Sequence, residues 1–175
     1  MALHAQADNH LANRVRLASL PQLLILLLFG ASGRVAQQLP VIFYAVVVWQ
    51  VGLMAGRLYL TGWPKQKAAE LPASFTQWIS AVVIASAAGW SLLLAAIFSR
   101  FSPHSHEITL ALPVLVALCA AAMATLVSHF WLLCCFEVLV VLPSVVVLAV
   151  QSGGQDLLLA GGLAAFTCFH LMQGR

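Results

Sequence analysis

Apolar residues are grouped in six long stretches of this chain, and most polar residues lie between the stretches or at the two ends. A helix that crosses a bilayer needs roughly 20 consecutive, mainly apolar residues. All six stretches come close to this length, the shortest having 16 residues and the longest 22. The pattern therefore predicts six membrane-spanning helices, at residues 17–33, 39–56, 78–99, 108–127, 130–150 and 157–172.

Polar intervals separate these stretches and show how the chain is organised. Residues 57–77 contain two prolines and four charged residues, which excludes a span and predicts a loop. Shorter hydrophilic turns are predicted at residues 100–107 and at Ser128-His129. Residues 1–19 form a polar arm, so we predict an all-α, six-helix transmembrane domain over residues 20–175.

The composition agrees with this pattern and excludes several classes of protein. The 175 residues are 62% hydrophobic and only 7% charged, whereas soluble domains average about 25% charged residues. A water-soluble globule is therefore excluded. The net charge of +3 is small and forms no basic stripe, so no nucleic-acid partner is expected. The four cysteines lie inside apolar stretches, which indicates small buried residues and no disulfide framework.

The distribution of basic residues predicts the orientation in the membrane. Six spans place both termini on one side, and the positive-inside rule assigns the more basic side to the cytoplasm. With cytoplasmic termini, the outer loops hold only Arg34 and Arg100. The inner segments then hold six basic residues, namely Arg14, Arg16, Arg57, Lys65, Lys67 and Arg175. We therefore predict a multi-pass protein of a bacterial inner membrane with both termini in the cytoplasm.

The fifth stretch carries a carboxylate near its middle. An ionised Glu137 in hydrocarbon would cost at least ~2.5 kcal/mol, so this side chain needs a buried partner or a proton. Ser144 and Gln151 follow at intervals of seven residues and Cys134 lies three residues before Glu137, which places them on one helical face. A polar seam of this kind is expected to face protein or a water-filled cavity.

Two further polar residues are expected at the depth of Glu137. From the predicted topology and helical rise, Gln50, Glu137 and Ser86 lie about 9, 10 and 12 Å from the cytoplasmic surface. We therefore expect Gln50 or Ser86 to hydrogen-bond Glu137. Two interpretations remain open: a site for a ligand headgroup or a proton, and a structural hydrogen bond between helices.

Proline and small residues predict how two of the helices pack. Pro143 removes an intrahelical hydrogen bond and is expected to kink the fifth helix, either for packing or as a hinge. The sequence Ser86-Ala-Ala-Gly89 in the third stretch permits the close approach of another helix. The third helix is therefore predicted to lie close to a neighbour.

The turn at residues 100–107 contains the weak candidates for a metal site. His104, His106 and Glu107 are competent ligands for a transition metal. Three ligands this close in sequence do not converge easily, so solvated histidines are the preferred interpretation. The chain has no phosphate-binding glycine loop and no GxSxG or HExxH motif. We therefore predict no metal, no cofactor and no enzymatic activity in this chain.

Several local patterns of the chain are found together in one class of membrane module. The patterns are Asn13-Arg14-Val15-Arg16-Leu17, Leu39-Pro40 with Trp49, Arg57-Leu58-Tyr59-Leu60, Gly89-Trp90, and Phe136 with Leu142-Pro143. They resemble one group of bacterial membrane-embedded sensor modules, which form the six-helix amino-terminal halves of sensor histidine kinases and diguanylate cyclases. The resemblance implies a kinase or cyclase output domain that lies outside this chain.

These features together predict a membrane-embedded sensory or receptor domain of a bacterial signal-transduction protein, such as a two-component system. A small apolar or amphipathic ligand, or the state of the lipid bilayer, would bias helix packing at the Glu137 seam and at Pro143. The change would pass to a second copy in a homodimer or to a cytoplasmic output domain. Two alternatives remain, a small transporter or channel component and a structural subunit of a larger membrane complex.

Overall fold

The computed structural model describes residues 19–31, 34–62, 73–102, 105–126, 129–151, 161–168 and 172. These residues are almost entirely helical and include no β-strand, which confirms the predicted all-α class. Residues 161–168 are helical as well. The other described helices are α1 (Ser19–Ala31), α2 (Arg34–Gln38), α3 (Pro40–Gly62), α4 (Ala73–Arg100), α5 (His106–Leu126) and α6 (Phe130–Gln151).

Four of these helices, α3 to α6, are long and apolar enough to cross a membrane. A hydrocarbon core about 30 Å thick requires this length because each helical residue adds about 1.5 Å. By length and composition the chain is therefore a multi-pass helical membrane protein. The spanning segments are Pro40–Tyr59, Gln77–Arg100, His106–Leu126 and Phe130–Val150.

The prediction of six spans is wrong for the part of the chain that the structure describes, since it contains four. Helix α1 has 13 residues, which is about 20 Å of helix and too short to cross the hydrocarbon core. Of the predicted span 157–172, only residues 161–168 and 172 are described. The predicted polar arm lies outside the described residues, except for Ser19 at the start of α1.

Local sequence signals explain where the helices begin and whether they continue. Pro40 stands at the first position of α3, where its missing N–H costs no hydrogen bond. Ser105 caps α5, because its Oγ accepts a hydrogen bond from the Ile108 N–H at 3.3 Å. Pro143 lies inside α6, which nevertheless runs without a break from Phe130 to Gln151.

Helix α4 forms the centre of the bundle. Half of its apolar spanning segment is buried in the protein, compared with 22% of the corresponding segment of α3. Its most extensive contact is with α6, and the next is with α3. The connections from α4 to α5 and from α5 to α6 are only a few residues long, so these neighbours are antiparallel and α4 runs parallel to α6. The apolar side chains of α4 that are completely buried include Trp90, Leu93, Leu94 and Ile97.

Helices α1 and α3 are antiparallel, and their contacts define the two ends of the bundle. At one end Phe43 packs close to Gly30, and an ion pair of 3.7 Å joins Arg34 to Glu107 at the start of α5. We call this the Arg34 end. At the other end Arg57 Nη1 donates a hydrogen bond to Gln22 Oε1 at 3.2 Å. We call this the Arg57 end.

Candidate functional site

A closed pair of hydrogen bonds joins α3 to α4 inside the bundle. The Ser86 hydroxyl donates to Gln50 Oε1 at 2.8 Å, and Gln50 Nε2 donates back to the Ser86 carbonyl at 2.9 Å. Both side chains are buried. Because no water competes for these groups in an apolar interior, the two bonds hold the helices in one register.

The neighbouring residue on α3 makes a parallel contact at the bundle surface. Trp49 Nε1 donates to the Ala85 carbonyl at 2.9 Å, while half of the Trp49 side chain stays exposed. Each carbonyl oxygen has two lone pairs, so it can accept a second hydrogen bond beside the one within its helix. Consecutive side chains of α3 therefore bind consecutive backbone carbonyls of α4.

Gly89 makes this close approach possible. A Cβ atom at position 89 would lie 2.9 Å from Trp49 Cδ1, a distance that real Cβ atoms essentially never show, and 3.0 Å from Gln50 Nε2. A side chain there would force the Trp49 and Gln50 side chains, or α3 itself, to shift. The predicted close packing at the small residues 86–89 is thus confirmed, and α3 is the partner helix.

Two residues of the polar seam on α6 lie in the protein interior. Glu137 and Ser144 are both completely buried, as their seven-residue spacing on one face predicts. Ser144 Oγ donates to the Val140 carbonyl at 3.3 Å. Cys134 is half-buried, and the side chain of Gln151 lies outside the described residues.

Glu137 faces a cysteine on the neighbouring helix. The thiol of Cys119, buried on α5, lies within electrostatic range of the Glu137 carboxyl group. The hydrogen bonds described for Gln50 and Ser86 link these two side chains to each other. A hydrogen bond from either of them to Glu137 stays a prediction.

Four buried polar side chains from four helices lie at a similar depth. Counted from the Arg34 end at 1.5 Å per residue, Gln50 is about 15 Å deep, Cys119 about 20 Å, and Ser86 and Glu137 about 21 Å. All four are at least nine-tenths buried. We call this layer of Gln50, Ser86, Cys119 and Glu137 the polar centre.

Arg57 and Trp90 are buried polar groups that were not anticipated from the sequence. Arg57 was predicted to begin a surface loop, yet its side chain lies in α3 and is 5% exposed. Its position seven residues after Gln50, on the same helical face, was the available signal. Trp90 is completely buried, and among the described residues no acceptor lies within hydrogen-bonding distance of its Nε1.

The weak metal candidates are not brought together by the described structure. Glu107 is 2% exposed and pairs with Arg34, whereas His106 is exposed. His104 lies outside the described residues. Within the described ranges, no three His, Cys, Asp or Glu side chains form a group that could hold a metal ion. Glu107 thus belongs to an ion pair at the Arg34 end.

No protein-family model, curated protein or solved structure matches this chain.

Proposed function

We propose that this chain is a membrane-embedded sensory domain in which a small apolar or amphipathic molecule, or the state of the bilayer, acts on the polar centre. The observation that carries the proposal is a carboxyl group, Glu137, completely buried in the middle of a spanning helix. Ionisable residues in such positions are costly and commonly mark a functional site. Helix packing alone does not explain the free-energy cost of burying such a residue.

Signal reception requires two packing arrangements of similar energy and a signal that distinguishes between them. The polar centre supplies groups that can exchange partners, because Gln50 and Ser86 each contain both a donor and an acceptor. In one arrangement they bind each other, as described above. In the second, one of them binds Glu137. Pro143, six residues after Glu137 on α6, weakens the helix where the two arrangements would differ.

The resemblance to sensor histidine kinases and diguanylate cyclases supports an output through a second copy or a cytoplasmic kinase or cyclase domain. The basic residues of the loop that follows α3 support a cytoplasmic Arg57 end and a bacterial inner membrane. These parts of the proposal concern topology and partners, and they can fail without affecting the site.

The variant Glu137→Gln tests the proposal, with Glu107→Gln as its matched control. Both glutamates are buried in spanning helices, but only Glu137 belongs to the polar centre. Purified protein in lipid nanodiscs is screened for thermal stabilisation by a panel of apolar and amphipathic compounds. We expect an active compound to raise the Tm of the wild type and of Glu107→Gln by several degrees and to leave Glu137→Gln unchanged.

Other outcomes would contradict the proposal. A folded Glu137→Gln variant that responds like the wild type would exclude Glu137 as the sensing group. Proton uptake by proteoliposomes that is lost in Glu137→Gln would favour a transporter. A partner protein that co-purifies in a fixed ratio from native membranes, with no compound effect, would favour a structural subunit.

A further inference from the structure

Trp90 has a hydrogen-bonding capacity that the described residues do not use. Its side chain is completely buried, and no described residue offers an acceptor to its Nε1. An indole N–H is only a donor, so it cannot be satisfied by another donor such as the Gln50 amide nitrogen. Buried polar groups in native proteins are nearly always paired, and an unpaired one calls for an acceptor that the described residues do not supply.

Trp90 lies about one helical turn from the polar centre along α4. Trp90 lies four residues after Ser86 on α4, so the two residues share one side of the helix. A long side chain on a helix leans back over the preceding turn, which for Trp90 is the turn that contains Ser86. Counted from the Arg34 end, Trp90 and Gln50 are both about 15 Å deep.

An apolar groove that is open to the membrane lies beside this region. It lies between α3 and α4, has a volume of about 310 Å³ and offers almost no polar surface. Its position on two spanning helices means that hydrocarbon surrounds its opening. Gly89 lines the groove and directly precedes Trp90 in the chain, and a Cβ atom at position 89 would lie 3.0 Å from Gln50 Nε2. The lining residues are Ala45, Val46, Trp49, Ala88, Gly89 and Leu92.

We infer that Trp90 Nε1 is a ligand-binding donor, and that the ligand is an apolar molecule whose carbonyl oxygen reaches the polar centre from the groove between α3 and α4. A carbonyl fits because it accepts a hydrogen bond and needs no donor partner in return. A charged ligand does not fit, since the groove offers no group to compensate its lost hydration. The inference rests on the proposed sensory function and specifies the ligand class for it.

The test uses a matched pair of probes, 2-undecanone and undecane, which differ in one carbonyl group. The protein is labelled with ¹⁵N at the indole nitrogens of its five tryptophans and embedded in nanodiscs. The variant Trp90→Phe assigns the Trp90 signal in the proton–nitrogen correlation spectrum. If this variant does not fold, the variants Trp49→Phe, Trp63→Phe, Trp78→Phe and Trp131→Phe assign the other four signals and leave that of Trp90.

We expect 2-undecanone to move the Trp90 indole proton downfield in a saturable manner, and undecane to produce no comparable shift. Trp131 is the internal control, because its exposed side chain on α6 does not line the groove. An equal response to both probes, or none to the ketone, would overturn the inference. A water cross-relaxation signal at Trp90 that the ketone does not displace would also overturn it, since the acceptor would be a structural water. None of these results depends on Glu137, so a failure here is distinct from a failure of the sensory function.

Discussion

Within this membrane-spanning bundle, single polar residues are stabilised by bonds to other buried groups. Gln50 and Ser86 satisfy each other through two hydrogen bonds of 2.8 and 2.9 Å. Trp49 satisfies its indole N–H at the backbone of α4, so its ring can remain half exposed to the surrounding apolar phase. In each case the polar group avoids the cost of standing unpaired in hydrocarbon.

The contribution of the Gln50–Ser86 pair can be measured by removing one hydroxyl. We expect Ser86→Ala to lower the free energy of unfolding by about 1 kcal/mol, because hydrogen bonds between membrane helices contribute about this much. Ser99→Ala is the control on the same helix, since Ser99 is exposed and donates to the Ala96 carbonyl within its own helix. Reversible denaturation in mixed micelles gives both values. Equal losses in the two variants would contradict a special role for the buried pair.

At the scale of helices, the contact between α3 and α4 depends on a residue without a side chain. Gly89 allows two side chains of α3 to reach the α4 backbone. By contrast, a Cβ at Gly52, also in a spanning helix, would meet nothing within 4 Å. The two glycines therefore have different structural roles, although both lie in apolar helices.

Substituting each of these glycines with valine provides a matched comparison. We expect Gly89→Val to lower the free energy of unfolding by about 2 kcal/mol or more, because overpacking a tight contact typically costs 1–3 kcal/mol. Gly52→Val should change it by less than about 0.5 kcal/mol, as surface substitutions usually do. Thermal unfolding in detergent monitors both variants, and Trp49 fluorescence reports the α3–α4 contact. A similar effect of the two substitutions would show that α3 does not approach α4 as described.

At the scale of the whole molecule, the bundle has two chemically distinct ends. The Arg34 end contains the ion pair of Arg34 with the buried Glu107, and the Arg57 end contains a buried guanidinium bonded to Gln22. The loop that follows Arg57 adds Lys65 and Lys67 to this end, so the positive-inside rule predicts that the Arg57 end faces the cytoplasm. This orientation is a property of the protein in its membrane and needs a test in cells.

Cysteine labelling distinguishes the two orientations. Ser102→Cys lies at the Arg34 end, where Ser102 is exposed between α4 and α5, and Lys65→Cys lies in the predicted cytoplasmic loop. Both are introduced after the four native cysteines have been replaced by alanine. A membrane-impermeant maleimide added to intact spheroplasts should label position 102, and should label position 65 only after lysis. The reverse order would place the Arg57 end outside the cytoplasm, and labelling of both positions would exclude α4 as a single crossing.

Sequence patterns predicted much of this molecule because hydrocarbon imposes strict rules on a chain. The apolar stretches identify α3 to α6, and the seven-residue spacing of Glu137 and Ser144 identifies the buried face of α6. The first apolar stretch was predicted to cross the membrane although the described α1 has only 13 residues, because hydropathy reports the apolarity of a stretch and not the length of its helix. The burial of Arg57 and Glu107 was missed, because a charged residue near a helix end is ordinarily solvated and its partner on another helix is set by tertiary packing.

The bonds from Trp49 and Gln50 to backbone carbonyls have a consequence for how this protein can evolve. Every amino acid has a backbone carbonyl group. The hydrogen bond from Trp49 therefore requires no particular side chain at position 85 of α4. On α3, in contrast, the loss of the indole or the amide removes the donor itself. Mutational tolerance across this interface should therefore be asymmetric, with position 85 free to accept other small residues while positions 49, 50 and 89 resist replacement.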